Sequence, residues 1–222
     1  MRQYFVINSN NNNLNVDLTN FNKLVIYDWS IPYTFYNIYS YNNSFNIDGN
    51  IYTIPIKNYD INSLKSQIET QIAGTTITFD IPTFKTTISR AANYDLVYTP
   101  FLDLLGFTST QTLTGQNSYT SSNVYNLNKH IDNVYINSDN LHNILNYKPL
   151  NINNYTHGYI NNINTGNFIF GNTITNINNN DIVLSINPNS NYIPNITCNL
   201  HDYYNNIINV NGQNVILFCY IE

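Results

Sequence analysis

Two pairs of residues in this chain have types and spacings that could do chemistry: Cys198 with His201, and His130 with Asp132. A thiol beside an imidazole is the start of a nucleophilic site. In an extended strand, however, residues three apart point to opposite faces, and Cys198 shares its face with the apolar Ile196 and Leu200. Cys198 therefore reads as a core thiol, as does Cys219 in its own apolar segment. A single bridge between them is the alternative. His130 and Asp132 are two apart and share a strand face, but two ligands do not make a metal site. His142 and His157 stand alone in sequence and read as solvated or hydrogen-bonded structural histidines. The 13 Asp and Glu residues could supply a carboxylate pair for glycoside hydrolysis, although such pairs assemble in space and leave no sequence signal. No P-loop, dinucleotide fingerprint or zincin motif is present. The reading is a non-enzyme with no catalytic, cofactor-binding or metal-binding residues and no cofactor.

The elements that would position these residues are mostly strands. Short period-two segments rich in Ile, Val, Tyr, Phe and Thr recur along the chain, separated by turn-forming clusters of Asn, Asp, Ser, Gly and Pro. Thr76 to Ile81 alternates with Ile77, Phe79 and Ile81 on one face; Asn133 to Asn137 does so with Val134 and Ile136, and Asn195 to Leu200 with Ile196, Cys198 and Leu200. Val215 to Ile221 is apolar on both faces, which fits a strand covered on both sides or one buried by another subunit. One helix is expected near 60–73, because Ile61, Leu64, Ile68 and Ile72 form one stripe, Asp60 can cap its start and Gly74 can close its end. A second helical turn is expected at Pro100 to Leu105, ended by Gly106. Thr108 to Asn128 reads as a long loop or projecting hairpin, and the runs Asn10 to Asn13 and Asn178 to Asn180 as turns. No period of 20 to 50 residues repeats, which argues against a propeller or solenoid.

Composition narrows the function further. The 222 residues include 47 Asn, while charged residues make up 9%, against about 25% in an average soluble protein. AT-rich codons account for abundant Asn, Ile, Tyr and Phe, but they also favour Lys, of which there are only six. Low charge is therefore a property kept for a physical reason. With 42% hydrophobic residues, 20 Tyr, 11 Phe and 31 Ile, the chain is expected to fold, as one domain over 1–222. The net charge is −5 and no Lys or Arg follows Lys148, so direct nucleic-acid binding is not expected. The longest apolar run, Val215 to Ile221, is too short to span a bilayer, and the N-terminus lacks the apolar stretch of a signal peptide. A soluble protein, not exported by a cleaved signal, is the expectation. The sequons at Asn42, Asn154 and Asn195 are fewer than the roughly seven expected by chance and carry no meaning.

An ordered set of segments carries a resemblance: IPYTFYNI at Ile31 to Ile38, IYTIPIKNYDINSLKSQIETQI at Ile51 to Ile72, TTITFD at Thr75 to Asp80, YDLVYTPFLDLLGF at Tyr94 to Phe107 and IDNVYINSDNL at Ile131 to Leu141. IVLSI at Ile182 to Ile186, ITCNLHDYYNNII at Ile196 to Ile208 and the final apolar strand complete it. Together they resemble the minor capsid, or penton, proteins of virophages and Polinton-like viruses, small double-stranded DNA viruses with icosahedral capsids. In that family an "IP" strand, a short helix after a "tip" strand, an LLGF-like turn and a "DNL" strand end occur in this order.

The resemblance implies an all-β fold, a single jelly-roll sandwich of two antiparallel four-stranded sheets. It also implies a structural role: five copies closing head to tail around a fivefold vertex, docked against the major capsid protein, in virions assembled inside an infected cell. No active site transfers with it. Charge depletion and Tyr enrichment agree independently, because permanent interfaces exclude charges that must be desolvated and paired. Two rivals stand beside this reading. One is a lectin-like module in which Tyr, Asn and Ser bind a host-surface glycan, and the other is a jelly-roll glycan hydrolase.

Overall fold

The computed structural model describes residues 2–9, 16–137, 150–152, 155–157, 159–164, 173–175, 181–186, 192–193, 198–202 and 204–222. The readings made for the two Asn runs, for Asn154, Asn195 and Ile196, for the "DNL" segment and for His142 concern residues outside this set. By compactness the chain forms two units: Met1–Phe35 with Ile131–Glu222, and Tyr36–His130, which is inserted in sequence. The second unit has its own helix, sheets and buried core, which is why it stands as a unit.

The first unit contains β1 (Gln3–Asn8), β2 (Val16–Asp17) and β3 (Lys23–Pro32). The second contains β4 (Ser44–Ile47), β5 (Asn50–Thr53), α1 (Ile61–Gln71), β6 (Thr75–Asp80), β7 (Lys85–Tyr94), β8 (Leu96–Val97), α2 (Pro100–Leu104) and β9 (Gln116–Thr120). The chain then returns to the first unit with β10 (Asn133–Asn137), β11 (Leu150–Ile152), β12 (Tyr155–His157) and β13 (Tyr159–Asn164). It closes with β14 (Thr173–Thr175), β15 (Ile182–Ser185), β16 (Tyr192–Ile193), β17 (Asn199–His201) and β18 (Ile216–Ile221). The fold is all-β with two short helices, and every described strand pair is antiparallel, as a jelly-roll-like fold requires. The described strands are shared out unequally. One sheet has five strands, ordered β1–β18–β3 with β14 and β15 both on the far edge of β3, and the other sheets have two or three strands each.

In the five-stranded sheet the register brings Ile7, Leu217 and Trp29 into one row and Phe5, Cys219 and Ile26 into another. Partners across a ladder share a face, and apart from the half-buried Phe5 these side chains are buried, so this face is the core side. β10 falls at Asn133–Asn137 as its alternation predicts, with Val134 and Ile136 buried.

The second unit shows how local signals build its elements. Leu64, Ile68 and Ile72 of the α1 stripe lie in one buried cluster with Ile77, Ile88, Phe101 and Leu104. The Asp60 side chain accepts the Ser63 N–H at 2.7 Å, and Ser63 Oγ accepts the Asp60 N–H at 3.1 Å, so two otherwise unpaired amides are satisfied reciprocally. Gly74 follows the helix at φ +78°, a conformation that glycine adopts without a Cβ clash. Pro100 opens α2, and Gly106 just beyond it has φ +86°.

Two stretches differ from their sequence reading. Ile81 does not continue the Ile77 and Phe79 face; β6 ends at Asp80, whose carboxylate accepts the Thr83 N–H and hydroxyl, and Ile81 lies in the resulting turn, 75% exposed. The polar stretch 108–128 contains β9, paired with β7, and is anchored by buried Leu113 and Tyr119. The Tyr119 hydroxyl donates to the Tyr94 carbonyl at 2.6 Å, and the Tyr94 hydroxyl to the Ile88 carbonyl at 2.7 Å. Backbone pairing and two hydroxyls thus hold a stretch that the sequence reads as a loop or a projecting hairpin.

Candidate functional site

The other face of the five-stranded sheet is the surface most suited to recognition. Its rows run Tyr4, Tyr220, Val25 and Val183, then Val6, Phe218 and Asp28. A register shift between Phe218 and Cys219 leaves Tyr27 between these rows. The rings of Tyr4, Tyr27, Phe218 and Tyr220 form a continuous cluster, with centroids 5.4 Å apart for Tyr4 and Tyr220, 6.0 Å for Tyr27 with either tyrosine, and 6.3 Å for Tyr27 and Phe218. Tyr4, Val6 and Val183 are exposed by 61%, 46% and 55%. The doubly apolar closing strand now has its explanation. Leu217, Cys219 and Ile221 face the core, while on the opposite face Phe218 is half-buried and Tyr220 is buried among its neighbours.

Charge sits at the rim of this face. The Arg2 guanidinium lies 4.5 Å from the Tyr220 ring centroid, within cation–π range, and its Nε reaches Glu222 at 3.0 Å. Lys23 approaches the same carboxylate at 3.7 Å. These exposed pairs add little stability, but they hold the rim charges against each other. The face offers rigid rings with polar tips, and the Asp181 carboxylate lies 3.5 Å from the Tyr220 hydroxyl. It can make apolar and stacking contacts. Its residues come from chain segments more than 200 positions apart, and the local signal for it in the sequence was the doubly apolar strand Val215 to Ile221.

The nearest approach to a chemical constellation lies in the second unit. Asp103 of α2 accepts from Lys129 Nζ at 2.8 Å, and its other oxygen meets His130 Nε2 at 3.2 Å. The far nitrogen of the imidazole, Nδ1, lies 3.1 Å from the Asn42 amide nitrogen, which also donates to the Asn37 carbonyl at 2.9 Å. An amide nitrogen only donates, so His130 Nδ1 is the acceptor and Nε2 carries the hydrogen that points at Asp103. Burial raises the Asp103 pKa, but hydrogen bonds from His130 and then Lys129 outweigh it and hold the carboxyl below its usual range. A catalytic dyad of this type would turn Nδ1 toward a nucleophile or substrate. Here Asn42 occupies that direction and His130 is buried, so the cluster is structural.

The pairs singled out from sequence fare similarly. Cys198 and Cys219 are both buried and unbridged. Cys198 Sγ lies 3.9 Å from the Val215 carbonyl, whereas His201 Nδ1 engages Asn205 at 2.8 Å, so thiol and imidazole are used separately. Burial pushes the Cys198 thiol up to about 12 and raises Cys219 as well. Neither forms thiolate near neutral pH. Ellman's reagent is accordingly expected to label no thiol in the native protein and two after denaturation; rapid native labelling would contradict this burial. Among the described residues no group of His, Cys, Asp or Glu could hold a metal ion, and no helix is long and apolar enough to cross a membrane.

No family model matches the chain, and no curated protein does. Among solved structures, the crystal structure of SeMet-labelled mavirus penton protein is similar at 16% identity, covering 99% of each chain, with a TM-score of 0.47. At that score the likeness carries no argument about what this chain does.

Proposed function

We propose that this chain is a structural protein of a viral capsid, a minor capsid or penton protein whose copies close as rings of five at icosahedral vertices and dock against the major capsid protein. It acts in the virion, after assembly inside the infected cell, and catalyses nothing. The observation that carries the reading is the aromatic sheet face around Tyr4 and Tyr220, in a chain with only 9% charged residues. Such a face contributes most when another protein surface covers it. The ordered segments agree with their expected elements: Ile31 and Pro32 end β3, Ile61–Gln71 is the helix, and Leu104 to Phe107 form a buried turn.

Native mass spectrometry of the protein, alone and with the major capsid protein of the same virus, tests this. Rings of five are expected, and Tyr4→Asp with Val6→Asp should abolish them while circular dichroism stays unchanged, because both side chains are exposed. A species that remains monomeric in both mixtures and never enters capsids would sink the reading. The exposed Tyr4 ring also suits stacking on a sugar, so saturable binding on a glycan array, lost with Tyr4→Ala, would favour a lectin-like role instead.

A further inference from the structure

The free edge of β6 is closed over one part and open over the next. Thr86, opposite Phe79, turns its backbone toward the segment after β9: its N–H donates to Ser121 Oγ at 3.0 Å and its carbonyl accepts the Ser121 N–H at 2.8 Å. Antiparallel ladders alternate, so the N–H and carbonyl of Phe79 point away from β7, as do those of Ile77 two residues earlier. The helix covers Ile77, whose N–H donates to Glu69 Oε1 at 2.9 Å and whose carbonyl accepts from Lys65 Nζ. Phe79 has no such cover among the described residues. It borders a groove of about 350 Å³ beside α1, lined also by Ile61, Asn62, Ile81 and Tyr125.

A second observation points to the same place. Among the described residues five non-glycine residues have positive φ; four are Asn or Asp, which tolerate that region, and the fifth is Phe84 at +52°. A bulky residue there is strained, and Phe84 does not repay the strain by full burial, since it is 53% exposed. Its ring lies 6.1 Å from Tyr125, which in turn meets Phe79 at 5.1 Å. Ile81 and Val124, 75% and 58% exposed, add further exposed apolar surface on the same segments. A strained and exposed ring beside an open strand edge is what a binding surface keeps and a folding core does not.

We propose that the groove beside α1 receives a short, extended, uncharged apolar segment of a partner protein, which pairs with the Phe79 backbone and places an aliphatic side chain between Ile61 and Tyr125. Charge selects this occupant. Lys65 is held by Glu69 at 2.6 Å, so a charged side chain entering the groove would lose water without gaining a counterion. The Lys65 and Glu69 cover on Ile77 stops the added strand and makes the recognised segment short. This site is independent of the capsid proposal.

The test uses the full-length isotope-labelled protein and three blocked hexapeptides: acetyl-Thr-Val-Thr-Ile-Thr-Val-amide, the same with Asp for Ile, and the same N-methylated at Ile. The first is expected to shift the Phe79 amide resonance saturably, and the other two to bind at least about tenfold more weakly, the loss expected for one hydrogen bond or one desolvated charge. Phe84→Gly relieves the backbone and loses half a ring contact, so its Tm should stay within about 3 °C of wild type while peptide binding falls at least about tenfold. No Phe79 shift, or equal binding by the Asp peptide, would overturn the site. Shifts caused by maltotriose alone would overturn the choice of ligand class. Concentration-dependent shifts without peptide would overturn the choice of a partner over a second copy.

Discussion

Asp103→Ala is expected to destabilise the protein by about 3–5 kcal/mol, the usual result of removing one partner from a buried charged network. The Asp103 side chain accepts from both Lys129 and His130, and His130 is almost fully buried between that carboxylate and Asn42. Without the carboxylate, His130 Nε2 loses its 3.2 Å contact with Asp103, and Asn42 on the other nitrogen opposes the flip that would exchange the two. Urea unfolding at neutral pH measures the loss. A change below about 1 kcal/mol would show that solvent reaches the cluster and that its hydrogen bonds matter little.

The same carboxylate gives a pH test. Its folded-state pKa is lower than its unfolded one, so its contribution is complete above the ordinary carboxylate value, about 4, and is lost as pH falls through the lower folded value. Stability of the wild type should therefore drop between about pH 4 and the acid limit more steeply than that of Asp103→Asn, which has nothing to titrate there. Parallel acid limbs in the two proteins would show that Asp103 is not held below its usual range.

Gly106→Ala is expected to cost more than about 3 kcal/mol, through two effects that a control can separate. At φ +86° an alanine is strained by about 1 kcal/mol or slightly more. A Cβ there would also lie 2.3 Å from the Asn123 carbonyl oxygen, a backbone atom with little freedom because the Asn123 N–H donates to the Gly106 carbonyl. Gly74 has nearly the same φ, +78°, and a methyl group added to it would meet nothing within 4 Å, so Gly74→Ala should show the conformational part alone. Thermal melts of the two variants decide it. Equal losses would mean that the chain near Asn123 yields without resistance.

The two glycines show what a sequence can and cannot convey. Both were legible as helix terminators, because Ile61, Leu64, Ile68, Ile72 and Asp60 on one side, and Pro100 on the other, define helices within a dozen residues. That Gly106 also lies under the Asn123 backbone was not, since this approach spans an intervening strand. The same distinction holds for the candidate site. The apolar closing strand was visible, but the face it completes depends on Gln3 pairing with Ile221, and nothing local encodes that register. Asp103 and His130 were each readable as polar groups, yet their meeting depends on the packing of α2 against the end of the 108–128 stretch. The strand-and-turn composition does not change at Phe35 or His130, so the two compact units leave no mark in the sequence.

The rim of the aromatic face has a consequence for the surroundings in which the protein can act. Arg2 and Lys23 both end on Glu222, so contacts made through the rings leave few unpaired charges for dissolved ions to screen. Cohesion through this face should then change little between fresh water and brine, and strongly excluded anions such as sulfate should tighten it. Cold is the harsher challenge. Apolar association weakens as temperature falls, so any contact made through this surface should loosen on chilling more than on adding salt.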